Sequence, residues 1–257
     1  LVAVDFDDVS SQVLAEASTL AKRFGSEVML LDVVEAAEHA AYNAEVLGGA
    51  IAARLEEMRT ELMESGVVVP PVLQPCGKAV AEIAAAAERV DANLIMLGAR
   101  GVPSDHHFAL GTTTEKIIRK SAKPVLAVHP KRPLQFANIL CPVDFSDTSA
   151  RGLANAIRLA RAFHGKLHVL TVMSPPTKYH RLDQYWSQWA VAAEAAAAGQ
   201  CTRDFQEFLG QFDFHEVDWQ KSIARGDPAL EIVAAADSWN ADLIVMGSVG
   251  RSGLPYM

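Results

Sequence analysis

Leu94-Ile95-Met96-Leu97-Gly98-Ala99-Arg100-Gly101, followed after nine residues by Gly111-Thr112-Thr113-Thr114-Glu115-Lys116-Ile117-Ile118, is the stretch from which the fold is read. An apolar run that stops in two glycines reads as a buried strand spilling into a tight loop, and the later Gly-Thr opens an amphipathic helix. Glycine lets the main chain come close to a ligand. A helix start offers unpaired N–H groups and a positive dipole end, so the segment is suited to phosphate.

Upstream, Leu1-Val2-Ala3-Val4-Asp5 is a short apolar strand ending in a carboxylate, followed by a helix that stops at Gly25. Glu27 to Val34 reads as a second strand, Ala44 to Glu64 as a helix, and Val67 to Gln74 as a third strand. Gly77 introduces a helix from Ala79, which leads into the opening stretch; a helix over Thr113–Lys120 and a fifth strand over Pro124–Val128 follow it. Strands alternating with helices predict a doubly wound parallel sheet.

The pattern then begins again. Ile139-Leu140-Cys141-Pro142-Val143-Asp144-Phe145-Ser146 repeats the first strand with its carboxylate, and Leu167 to Met173 repeats the second. Asp5 and Asp144 are 139 residues apart, as are Val33 and Val172; Gly77 and Gly226 are 149 apart, as are Gly98 and Gly247. The second copy therefore carries ten additional residues between its second strand and Gly226, in a region that includes Tyr179 to Trp189. Two homologous domains are expected, over residues 1–130 and 138–257, with a Pro-rich linker near 129–137. After Gly250 only seven residues remain, so the last helix and strand of the second copy are expected to be missing from the chain as given, as is the natural start before Leu1.

Bulk properties narrow the function. With 257 residues, half of them hydrophobic, the chain can bury a substantial core. A net charge of −8 opposes generic binding to nucleic acid or an anionic membrane, and no apolar run reaches bilayer length. Cys76, Cys141 and Cys201 are widely spaced and form no C-x-x-C, so neither a disulfide framework nor a cysteine zinc site is expected, and a reducing cytoplasm fits.

Gly98-x-x-Gly101, nine residues, then Gly111-Thr112 resembles the nucleotide-binding motif of the universal stress protein family. The strand ending in Asp5, the Thr113–Ser121 helix before Lys123-Pro124-Val125, and Pro142-Val143-Asp144-Phe145-Ser146 extend the resemblance to a tandem two-domain form over essentially the whole chain. The resemblance implies an α/β fold of the adenine nucleotide alpha hydrolase-like kind: two repeated doubly wound domains, each with a mainly parallel five-stranded sheet. It also implies ATP across the carboxyl ends of the strands, where ligands of open α/β sheets sit. Asp5 would then accept a hydrogen bond from the ribose or adenine side, with backbone near Val4 and Val33 framing the base. Gly98, Arg100 and Gly101 would line ribose and phosphates, and Gly111, Thr112 and Thr113 would hold the phosphates, with magnesium bridging their oxygens. A second site would involve Val143, Asp144, Val172, Gly247, Val249 and Gly250.

Blander roles stand beside these. The glycines could serve only as turns, and Asp5 as the N-terminal cap of the first helix. Asp105-His106-His107 reads as a solvated loop, Lys131-Arg132 as linker solvation, and Tyr185, Trp186 and Trp189 as packing residues. The expected function is ATP binding by a cytoplasmic stress-response regulatory module, without a predicted catalytic residue or dedicated metal site. The alternatives are an ATP-using enzyme, either a slow ATPase or an adenylyl transferase, and a nucleotide-free interaction module. The repeats are expected to pair as an internal pseudo-dimer, and a homodimer is also compatible.

Overall fold

The computed structural model describes residues 1–6, 9–35, 44–99, 103–104, 107–108, 110–174 and 187–248. The chain divides into two units, Leu1–Leu134 and Gln135–Met257.

Unit 1 contains β1 (Val2–Ala3), α1 (Ser10–Phe24), β2 (Leu30–Leu31), α2 (Ala44–Glu64), α3 (Ala79–Arg89), β3 (Ile95–Gly98), β4 (Pro103–Ser104), β5 (His107–Phe108), α4 (Thr112–Lys120) and β6 (Val125–Val128). Its ladder is parallel, in the order β2-β1-β3-β6. The ladder has four strands where five were expected. The segment read as the third strand does lie beside β2, through isolated parallel bridges at Glu27–Val68, Leu31–Leu73 and Val34–Cys76. Pro70, Pro71 and Pro75 lie within it, and a proline has no N–H to give to a ladder. Arg59 of α2 takes up two of the local carbonyls, donating from Nε to Val69 O at 3.1 Å and Pro70 O at 3.2 Å.

The core follows from the apolar runs. Leu30, Leu31, Ile95 and Ile117 are fully buried, and α1 presents Val13, Leu14, Ala17 and Leu20 to the sheet. That helix closes at Gly25, whose φ of 61° suits glycine, and whose N–H reaches Ala21 O. Helix α1 begins at Ser10 with Val9 at the cap position, and Ser10 Oγ in its first turn donates to Asp5 Oδ1 at 3.5 Å. The loop expected between Gly101 and Gly111 contains the short antiparallel pair β4–β5.

Unit 2 contains β7 (Asn138–Pro142), α5 (Asp147–Phe163), β8 (Lys166–Met173), α6 (Ser187–Leu209), β9 (Asp218–Arg225), α7 (Pro228–Ser238) and β10 (Leu243–Ile244). Its parallel order is β10-β7-β8-β9, also four strands among the described residues. Here β9 occupies the place of the proline-rich segment and, having no proline, pairs with β8 over eight residues. Ser146 caps α5 by accepting from Ser149 N, and Asp227 caps α7 by accepting from Ala229 N and Leu230 N. His164, with φ 55°, ends α5 as Gly25 ends α1.

Two measurements test this packing. A Cβ built on Gly165 would stand 1.9 Å from the Phe136 carbonyl oxygen, a backbone atom with little room to yield. Gly165→Ala is expected to lower unit 2's stability by about 2–3 kcal/mol in denaturant titration. Cys141 is fully buried in β7 and its thiol is held well above the usual range by that burial, whereas Cys76 is exposed. Maleimide followed by peptide mass analysis should modify Cys76 in the native protein and Cys141 only after unfolding.

Candidate functional site

The parallel ladder of unit 1 ends its strands along one edge, and this is where the residues singled out in sequence meet. Ala3 is in register with Leu31, and Val4 N donates to Leu31 O at 3.0 Å, so Val4 and Asp5 emerge beside Asp32 and Val33. On the other side Val2 pairs with Met96, which carries Gly98 alongside Val4. Val4 is buried, Val33 half-buried and Asp5 exposed, so apolar backbone lies within and a carboxylate at the rim. Ser10 Oγ donates to Asp5 Oδ1 at 3.5 Å.

The start of α4 is tied to the end of β3 by one long-range hydrogen bond. Thr114, buried in the first turn of α4, donates from Oγ1 to the Gly98 carbonyl at 2.9 Å. The bond fixes the start of α4 against the end of β3, although the two residues are sixteen apart in sequence. Gly111 is the N-cap residue in extended conformation and, lacking a side chain, makes no cap hydrogen bond. The main-chain N–H groups there are the orphan donors of a helix start, at its positive end. Thr112 is exposed and Thr113 half-buried. Gly98 itself is confined: an added Cβ would come within 3.1 Å of Val9 Cγ1 at the entry to α1.

Further residues at this edge were not read as functional in the sequence. His129 directly follows β6, and burial, then the nearby Arg132 and Lys131, lower its pKa; its Nδ1 accepts from Lys131 N at 3.0 Å. An X-His at the end of a strand was the available signal, obscured by the linker-like Pro130 and Pro133. Glu35, after β2, accepts from Ala79 N at 3.3 Å and stands in for the cap that Lys78 does not provide. Lys131 and Arg132 are exposed, in keeping with solvation.

Unit 2 assembles the matching edge differently. Val143 N donates to Leu170 O at 2.8 Å, so Val143 and Asp144 leave β7 beside Thr171 and Val172. Asp144 Oδ1 accepts from Ser146 N at 3.1 Å and Ser146 Oγ at 2.5 Å, and Ser146 Oγ also meets Thr148 Oγ1 at 2.9 Å. Gly247 sits hard against this turn, where an added Cβ would lie 3.1 Å from Thr148 Oγ1 and 3.2 Å from Ser149 N. Phe6 and Phe145 follow the two aspartates with φ of 58° and 65°, so both strand ends turn through the same left-handed conformation.

Arg100, Gly101, Val249, Gly250, Asp105, His106, Tyr185 and Trp186, named in the sequence reading, lie outside the described residues, as do the side chains of His107 and Trp189. Among the described residues no group of three or more His, Cys, Asp or Glu could hold a metal ion, and no helix is long and apolar enough to cross a membrane.

Comparison with known proteins agrees with this geometry. The family model described as the universal stress protein family matches residues 1–129 and again 135–257. A universal stress protein of Methanocaldococcus jannaschii, MJ0531, is 30% identical over 123 residues, covering 46% of this chain and 68% of its own length. A solved universal stress protein from Archaeoglobus fulgidus superposes with a TM-score of 0.69 at 22% identity, covering 95% of this chain and 84% of its own. A universal stress protein solved in complex with cAMP matches 51% of this chain and 94% of its own length, at 21% identity and a TM-score of 0.41. Two family matches on two separately folded α/β units, each ending its strands in an Asp-Phe turn, lead to one conclusion: the chain belongs to the universal stress protein family, in a tandem two-domain form.

Proposed function

We propose that unit 1 binds ATP at the carboxyl edge of its sheet and that the protein acts as a cytoplasmic, stress-responsive binding module. The observation that carries this reading is the Thr114–Gly98 hydrogen bond, which brings the uncapped start of α4 beside the carboxyl end of β3. Phosphates would lie on the N–H groups and hydroxyls of Gly111, Thr112 and Thr113, and the G-x-x-G motif supports Arg100 and Gly101 as further contacts. The adenine would lie against backbone at Val4 and Val33, and Asp5 would accept from the ribose or base.

The donor set fits a triphosphate. Among the described residues it offers neutral hydrogen-bond donors and a helix dipole and no carboxylate cage, so magnesium would be held by the phosphate oxygens and would keep several waters. We place ATP in unit 1 and leave the second edge out of the proposal, because the Asp144 carboxylate there is engaged by Ser146 through both nitrogen and hydroxyl.

Two variants test the reading. Gly111→Val sets a branched side chain where the phosphates would meet the main chain, and is expected to weaken ATP binding at least about tenfold in calorimetry. Ligand released from gently purified protein should be an adenine nucleotide by mass spectrometry. A wild-type protein that retains no nucleotide and gives no binding heat would overturn the proposal, and release of ADP during the same titration would mark turnover. Thr114→Val deletes the strut while keeping shape; it should cost about 1 kcal/mol of unit 1 stability and also weaken ATP binding, since the hydroxyl fixes the first turn.

A further inference from the structure

At the amino ends of its strands, opposite the Asp144 edge, unit 2 holds a cavity of about 290 Å³. Its polar lining is Asn138, Lys166, His168, Asp218 and Gln220, with Trp239 forming one wall. Asn138 is in register with Lys166, Lys166 with Asp218, and His168 with Gln220. Since side chains alternate along a strand, these five stand on one face of three adjacent strands. That is the face α7 covers: the indole of Trp239, which ends α7, lies 4.3 Å from the imidazole of His168.

The first repeat is less polar at this end, although it carries a charge, Glu27, at the position matching Lys166. The positions matching His168, Asp218, Gln220 and Trp239 by the repeat offsets are Met29, Val69, Pro71 and Val90. Of the unit 2 residues His168 is buried, while Lys166, Asp218 and Gln220 are exposed at the mouth, and a buried polar group is unfavourable unless it is paired. His168 is paired: its Nδ1 is hydrogen-bonded to the Gln220 side chain, and burial lowers its pKa. Lys166 and Asp218 stand on neighbouring strands, and among the described residues neither forms an ion pair.

We infer that this cavity is a second binding site, for a small zwitterion of the α-amino-acid type. Opposite charges on strands about 5 Å apart match a carboxylate and an ammonium carried on one carbon, the carboxylate toward Lys166 and the ammonium toward Asp218. The Trp239 indole gives an apolar wall for the side chain, and Gln220 and Asn138 supply neutral donors and acceptors. The volume is at the small end of ligand sites, and the Asp218 carboxylate opposes a polyphosphate, so this site takes a different ligand from the one proposed for unit 1.

The test is calorimetric titration of the full chain with L-phenylalanine, 3-phenylpropionate and phenethylamine, which share a ring but differ in their charges. Phenylalanine is expected to bind saturably and at least about tenfold more tightly than either singly charged analogue. Lys166→Met and Asp218→Asn, both at exposed positions, should each weaken phenylalanine roughly tenfold while leaving the circular dichroism melt unchanged. No saturable binding of phenylalanine to the wild-type chain up to about 10 mM would overturn the site. Equal binding of all three probes, or binding unaffected by both substitutions, would also overturn it, since only stacking on an indole would then remain. ATP titration of the same preparation separates this outcome from failure of the unit 1 site.

Discussion

Parallel pairing through the first strand of each unit is the constraint on which the remaining structure depends. In unit 1, β1 is held between β2 and β3, and in unit 2 β7 is held between β8 and β10, every pair running the same way. Parallel strands need crossover connections, which place helices over the sheet and bring all carboxyl ends to one edge. The central strand then leaves the sheet at that edge with Asp5 in one unit and Asp144 in the other. The left-handed turns at Phe6 and Phe145 redirect the chain at once toward α1 and α5. A binding edge thus follows from topology before any side chain is considered, and the side chains decide which edge can take which ligand.

The repeats diverge in how they spend the same backbone. Near Asp144, Ser146 and Thr148 make a local hydroxyl network and Ser146 caps α5, while α1 has no side-chain cap. Gly77 and Gly226, with φ of 159° and 149°, keep an identical turn, each with a glutamate, Glu82 or Glu231, lying where a Cβ would fall. Such turns are common to both units because backbone geometry demands them. At the opposite end of the sheet Met29, Val69 and Pro71 of unit 1 stand where unit 2 has His168, Asp218 and Gln220, while Glu27 stands where unit 2 has Lys166.

Much of this was legible in the sequence, and what was not has a physical reason. Apolar runs, the duplicated Asp-Phe, and matched spacings of Gly77 with Gly226 and Gly98 with Gly247 identify the strands, the repeat and the family. The expected third strand failed to join the ladder of unit 1 because Pro70, Pro71 and Pro75 cannot donate, a signal present in the sequence but outweighed by Val67-Val68-Val69. The Thr114–Gly98 strut and the Glu35 bond to Ala79 join residues far apart in sequence, and no local pattern encodes such pairs. His164 replacing glycine at a left-handed helix end is likewise a local cost that tertiary contacts carry.

Helix α4 joins these threads, because it has two roles that energy couples. Its Ile117 packs with Ile83 and Ala87 of α3 over Ile95 and Leu97 of β3, which are 0% and 5% exposed. Covering that face in unit 1 removes apolar surface from water at roughly 25 cal/mol per Å². The same helix presents its first turn to the proposed phosphate site, tied down at Thr114. A ligand that engages only the docked helix adds its binding energy to the coverage of β3. Docking of α4 and burial of Ile95 and Leu97 are therefore coupled to the geometry of the edge proposed to bind phosphate.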